Sequence, residues 1–245
     1  MNRGIPEKPR ALKSSVECDK RRKMLDAHHI APLTEYARSL VGLSKHETYK
    51  NATDFFVPHF DPLDGGTNAK VLFIFEKPGP KTRLSEFISR NNDDKTAENT
   101  LNFMQQAGLP REWTCLWNFV PIWNGTRKVT PREIVLGIEH LPNLISLFPN
   151  LNSIVFVGGK VKEAVMRGGK SYGMQLFGNG APHLTTLFFC SHPSPIVYAT
   201  NRAKWESIPQ VWKKAYLHAS VNGDIKRYIK LEMADNKLHL EAGTA

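Results

Sequence analysis

Four short apolar runs rich in β-branched and aromatic residues, Lys70 to Glu76, Thr114 to Val120, Ser153 to Gly158 and Thr185 to Ser191, stand too far apart to be joined as hairpins. Helical patterns lie between them at Thr96 to Ala107, Pro131 to Leu147 and Lys160 to Met166, the second opened by Thr130 as N-cap and Pro131 in the first turn. Strands separated by helices pair in parallel through crossovers, and the helices must cover both sheet faces. The expected fold is therefore α/β: a three-layer α/β/α sandwich with a central, mainly parallel four-stranded sheet. Apolar spacing over Val16 to Leu43 predicts further helix, broken at Pro32. A last helix is expected over Arg202 to Ser220, with Trp205, Ile208, Val211, Trp212 and Ala215 as its buried stripe, and Asp224 to Leu240 is amphipathic without choosing helix or strand. Residues 1–15, rich in Pro, Lys and Arg, are expected to be a mobile basic arm, and 16–245 a single domain.

An open parallel sheet gathers its chemistry at the carboxyl ends of its strands. The fourth run ends in His192-Pro193-Ser194-Pro195, followed by Ile196. Two prolines around a serine exclude helix and stiffen the turn, so His192 is expected to project from a rigid loop with Ile196 exposed at its tip. The first run ends in Glu76-Lys77-Pro78-Gly79-Pro80, a turn that allows close backbone approach to a ligand. The second carries Asn118 inside a strongly apolar stretch. Such an amide is either a buried polar group satisfied by neighbouring backbone or a reader of a ligand's donors and acceptors. These three strand ends can converge on one crevice.

The 33 Lys and Arg against 23 Asp and Glu leave a net charge of +10, which suits a partner with a phosphate backbone. Cys18, Cys115 and Cys190 are too scattered to build a zinc site or a four-cysteine cluster. No segment resembles a signal peptide or reaches the length of a membrane span, so a cytoplasmic protein without membrane association is expected.

In this frame the residues resemble the uracil-DNA glycosylase superfamily over roughly 70 to 215, in a cluster-free, bacterial-type branch. Glu76-Lys77-Pro78-Gly79-Pro80 is similar to the motif after the family's first strand, Asn118 to the asparagine that reads the uracil edge, and His192-Pro193-Ser194-Pro195 to the second signature. Ile196 falls where an apolar wedge is usual, and Phe87 resembles the aromatic on which uracil stacks. The resemblance implies a monofunctional enzyme that flips uracil from DNA, single- or double-stranded, and hydrolyses the N-glycosidic bond to leave an abasic site in base-excision repair. In that scheme His192 stabilises charge on the leaving uracil, Asn118, Phe87, Glu76, Lys77 and Gly79 bind the base, and Pro193, Ser194, Pro195 and Ile196 hold the DNA. It implies a monomer that needs neither cofactor nor metal.

Two departures from the family pattern follow. Lys77 occupies the position at which some branches orient the attacking water with Asp or Asn, so that task falls to a carboxylate among Glu76, Glu86, Asp93 and Asp94, with Glu76 and Asp94 the catalytic candidates, while Lys77 is free to meet a phosphate. Gly79 stands where one branch places a tyrosine against the thymine methyl, so thymine must be excluded elsewhere or less strongly. Two alternatives stay open: a non-catalytic binder of damaged DNA, and a glycosylase for another deaminated base such as hypoxanthine.

Overall fold

A computed structural model describes residues 8–167 and 185–221. Its centre is a sheet of four parallel strands in the order β4-β2-β5-β6, formed by β2 (Val71–Phe75), β4 (Thr114–Asn118), β5 (Ser153–Val157) and β6 (Thr186–Cys190). All twenty of these residues are buried, as expected for strands covered on both faces. A second, two-stranded parallel sheet joins β1 (His59–Phe60) to β3 (Phe87–Ile88), strands too short to carry a periodic signal.

Side chains alternate across the main sheet, and in-register neighbours share a face. Phe73 pairs with Leu116 and Phe75 with Asn118, so these four point the same way. That face is covered by α4 (Lys95–Gln106) and α8 (Arg202–Ser220), where Trp212 meets the Phe73 ring edge-on at 5.0 Å and Phe103 at 6.0 Å. Trp117 points to the opposite face, against Tyr36 of α2 (Ala31–Ser39) and stacked 3.7 Å from Phe60. There α5 (Pro131–Ile145) completes the layer: Tyr36 Oη donates to the carbonyl of His140, and a Cβ at Gly137 would stand 2.6 Å from the Phe119 carbonyl. The three-layer arrangement is the expected one.

Several elements differ from expectation. The first helical region is two helices, α1 (Ser15–Arg22) and α2, and Pro32 lies in the first turn of α2, where its missing N–H costs nothing. Pro80 ends the expected turn by opening a short helix, α3 (Pro80–Ser85), for which the sequence carries no periodic signal. Pro195 likewise opens α7 (Pro195–Thr200), with Ser194 as N-cap, so this motif starts a helix. The helix expected over Lys160 to Met166 is present as α6, over 159–167, after β5. The expected arm is anchored from Lys8 onward: the Leu12 amide donates to the Asn91 carbonyl at 3.0 Å, Leu12 is buried against Cys18, Leu25 and Phe87, and Arg10 pairs with Glu98. Residues 1–7 and the Asp224 to Leu240 stretch lie outside the described residues.

Candidate active site

The carboxyl ends of β2, β4 and β6 open on one cleft of about 520 Å³. Phe75, Glu76, Pro78, Gly79, Asn118, His192, Ser194, Pro195 and Ile196 line it, so the three expected motifs do converge. The far wall comes from α3, from Ile88, Ser89, Asn92 and Asp94, and from the first turns of α4.

Asn118 is the last residue of β4, on the α4 and α8 face with Phe75 and Leu116. Its side chain is almost wholly buried, and its amide oxygen has no hydrogen-bond partner. An acceptor held this way costs about 1–3 kcal/mol unless a ligand or water supplies a donor. Of the two readings open in the sequence, neighbouring backbone does not satisfy this oxygen.

His192 packs edge-on against the Phe75 ring, centroids 5.9 Å apart, and keeps its remaining exposure toward the cleft. Burial pushes its pKa down to about 4, so the imidazole is neutral at physiological pH. The loop carrying it is pinned from two sides. Asn99 of α4 donates to the Pro193 carbonyl at 3.0 Å, and the Ser194 amide donates to the His192 carbonyl at 2.8 Å. Ser194 Oγ accepts from the Val197 amide, and Ile196 in the first turn of α7 is 73% exposed at the rim.

Both candidate carboxylates reach the cleft, each with one oxygen engaged. Glu76 accepts from the Lys160 amide at 3.1 Å, laid against Gly158, where a Cβ would stand 2.5 Å from Glu76 Oε1. Asp94 caps α4 by accepting from the Ala97 amide at 2.9 Å. Glu86 and Asp93 are not among the cleft residues and form ion pairs, Glu86 with Arg22 and Asp93 with Arg10 and Lys81.

Two expected roles are corrected. Phe87 is fully buried, away from the cleft, in the cluster with Leu12, Cys18 and Leu25. Glu86, in the left-handed conformation at φ 74°, ends α3 and turns the chain into β3, where alternation sends Phe87 inward and Ile88 to the cleft. Phe75, Pro78 and Ile88 supply apolar wall instead. Lys77 borders the cleft, but its ammonium turns into the protein, meeting Glu133 Oε1 at 2.7 Å, Asn124 Oδ1 at 2.7 Å and the Lys128 carbonyl at 3.0 Å. Burial lowers its pKa and Glu133 partly restores it. That amine is not presented to a phosphate or a base. At Gly79 an added Cβ would meet nothing within 4 Å, so this wall is open.

Some cleft residues carried no signal in the sequence. Lys81, Lys95 and Arg127 put positive charge around the mouth from three separate segments, and Asn92 and Thr82 enter from loop and short helix without periodicity. Phase along β2 does disclose Phe75, two residues beyond Phe73. Behind the far wall, Ser89 and Arg111 both bond Asp61, which also pairs with Arg21, while Arg90 and Arg111 pair with Asp64. Burial alone would raise the Asp61 carboxyl, but Arg111, Arg21 and Ser89 hold it below its ordinary range. This network fixes the backbone that carries Asn92 to Asp94. Among the described residues no His, Cys, Asp and Glu group is placed to hold a metal ion, and no helix is long and apolar enough to cross a membrane.

The parallel α/β sheet with these groups at its strand ends is consistent with a DNA glycosylase, and residues 62–215 match the family model described as Uracil DNA glycosylase superfamily. The chain belongs to the uracil-DNA glycosylase superfamily and is a DNA glycosylase of that family, with DNA as its partner. No curated protein matches it.

Proposed function

We propose that the protein is a monofunctional uracil-DNA glycosylase that flips uracil into the cleft and hydrolyses its N-glycosidic bond. The observation that carries this reading is the unpartnered, buried Asn118 oxygen in a cleft shared with a neutral His192. Uracil offers an N3–H between two carbonyls, so the Asn118 oxygen accepts from N3–H while its nitrogen donates to O4. Cytosine opposes the amide at both atoms, a mismatch worth about 1–3 kcal/mol per unpaired group. As the N–C1′ bond breaks, negative charge collects on uracil O2. A neutral His192 N–H donates to it more strongly in the transition state than before, at no cost in repulsion with the cationic sugar.

Glu76 and Asp94 put negative charge where C1′ becomes cationic and supply the acceptor for the water's proton. Ile196 fills the gap left in the duplex, Ser194 with Pro193 and Pro195 holds the wedge in place, and Lys81, Lys95 and Arg127 meet flanking phosphates. The protein acts as a monomer in this reading, and its three buried, unpaired cysteines suit the reducing cytoplasm. The open wall at Gly79 favours a second reading, in which a larger deaminated base such as hypoxanthine is also admitted.

The test is release of free base from single- and double-stranded oligonucleotides carrying one uracil or one hypoxanthine, with alkali-labile breaks scored against His192→Ala. Uracil release that depends on His192 is expected. Binding without release would make the protein a non-catalytic binder of damaged DNA, and hypoxanthine release without uracil release would favour the second reading.

A further inference from the structure

Asn92 stands in the cleft wall between β3 and α4, 3% exposed. Its amide nitrogen donates to the Phe87 carbonyl at 2.9 Å and lies 3.5 Å from Thr82 Oγ1, whereas its oxygen is buried with no partner. The two ends cannot be exchanged, because a rotated amide would set oxygen against the Phe87 carbonyl and leave the nitrogen without an acceptor. The segment beneath it is equally fixed: the Asp94 amide donates to the Asn92 carbonyl at 2.8 Å, and Asn91 accepts from Arg21 and Arg111. The cleft wall therefore holds, besides Asn118, a second fixed and buried oxygen that no protein group satisfies, and what enters the cleft can supply its donor.

On the glycosylase reading above, the nucleotide does not bring that donor. Uracil attached to its sugar has one N–H, at N3, which Asn118 takes, and hypoxanthine likewise has one, at N1. An internal deoxynucleotide adds no other N–H or O–H. The remaining reactant with hydrogens to donate is water. We propose that Asn92 Oδ1 holds the attacking water by accepting one of its hydrogen bonds, in place of the group that Lys77 does not supply. Asn92 thereby aims the water's lone pair without being protonated. The water oxygen bonds to C1′ as the electron pair of the N–C1′ bond leaves with uracil. One water hydrogen stays on the new hydroxyl of the abasic sugar, and the other passes to the carboxylate of Asp94, two residues along the same wall, and then to the uracil anion.

Two measurements decide this. In a crystal structure of the free wild-type protein, a water is expected within hydrogen-bond distance of Asn92 Oδ1, whereas a dry oxygen or one satisfied by a protein donor overturns the proposal. In single-turnover assays on a uracil duplex, Asn92→Leu is expected to slow base release about tenfold or more, the loss of one hydrogen bond to a buried partner. Its affinity for a duplex bearing non-hydrolysed 2′-fluoro-deoxyuridine should be unchanged, and Asn92→Asp, which when protonated reproduces both contacts, should restore most of the rate. An unchanged rate, or a loss matched by weaker binding of the fluorinated duplex, overturns the proposal, the latter making Asn92 a reader of the base. Wild-type protein that releases no uracil refutes the glycosylase reading instead, and the crystallographic water, which needs no variant, then decides whether Asn92 holds one.

Discussion

The ammonium of Lys77 lies 2.7 Å from the Glu133 carboxylate, with both side chains sealed from solvent. Glu133 is also the N3 residue of the α5 capping box with Thr130, so one carboxylate joins the loop after β2 to the start of α5. Removing one member of a buried pair leaves the other charge uncompensated, which costs about 3–5 kcal/mol. Lys77→Met should therefore lower the urea midpoint markedly, and Glu133→Gln in that background should recover part of the loss. The same geometry predicts that borohydride traps no covalent adduct between wild-type protein and uracil-containing or abasic DNA. A trapped adduct at Lys77 would show that the amine leaves its pair and that the enzyme is also a lyase.

The low pKa of His192 ties folding to pH. In the unfolded chain the imidazole titrates near 6.5, in the folded protein at about 4. Between these values the unfolded state binds the extra proton, so the stability present above pH 6.5 falls as pH drops toward 4 and is not lost further below it. His192→Gln should remove this component, worth about 3 kcal/mol across the window. Denaturation of both proteins at pH 7 and pH 4.5 checks it: the wild type should lose more stability than the variant, since the other histidines are common to both. Equal losses would mean that the imidazole is solvated through the cleft and is charged at mildly acid pH.

Asn118→Asp should remain folded and gain release of cytosine from DNA. A protonated carboxyl donates to cytosine N3 while accepting from its amino group, so the variant's cytosine activity should rise as pH falls. Release of uracil should drop about tenfold or more as its acceptor is compromised. A folded variant that acts on neither base would assign Asn118 to architecture.

The two carboxylates are separable. Asp94→Asn keeps an oxygen to cap α4, and Glu76→Gln keeps one for the Lys160 amide, so both variants should fold. Loss of a general base typically costs about 10²–10⁴-fold in rate. That loss is expected for Asp94→Asn, with a smaller one for Glu76→Gln, whose charge acts only by proximity to the cationic sugar. The reverse pattern would move the base to Glu76.

How much of this was legible follows from which residues act through pattern. The four strands, α4, α5 and α8 announce themselves because buried parallel strands are continuous apolar runs and the helices carry caps and stripes. Asn118 and His192 are found because strand ends are predictable places for chemistry. Phe87 was misplaced because one residue of phase in a two-residue strand decides between cleft and core, and Glu86, a non-glycine residue in a left-handed turn, sets that phase without a sequence signal. Two prolines around a serine read as excluding helix, yet the first turn tolerates proline and Ser194 supplies the cap. Lys77 was misassigned because its partner Glu133 lies 56 residues away, and pairings at that distance leave no periodic trace.

Among the described residues Ile196 is the most exposed large apolar side chain, at 73%, and stands on the first turn of α7 beside the cleft mouth, with Tyr198 also exposed and covered in part by Arg202 at 4.2 Å. Leaving such a side chain in water gains nothing for the fold, so its truncation should leave stability unchanged. A base flipped from a duplex leaves an unstacked gap that a wedge must fill, whereas a single strand has no gap to hold open. Ile196→Ala should therefore reduce uracil release from double-stranded substrate by about tenfold while sparing single-stranded substrate, and fluorescence of 2-aminopurine beside the uracil should report a smaller flipped population. Equal losses on both substrates would place Ile196 in contact with the base or its sugar instead of in the duplex.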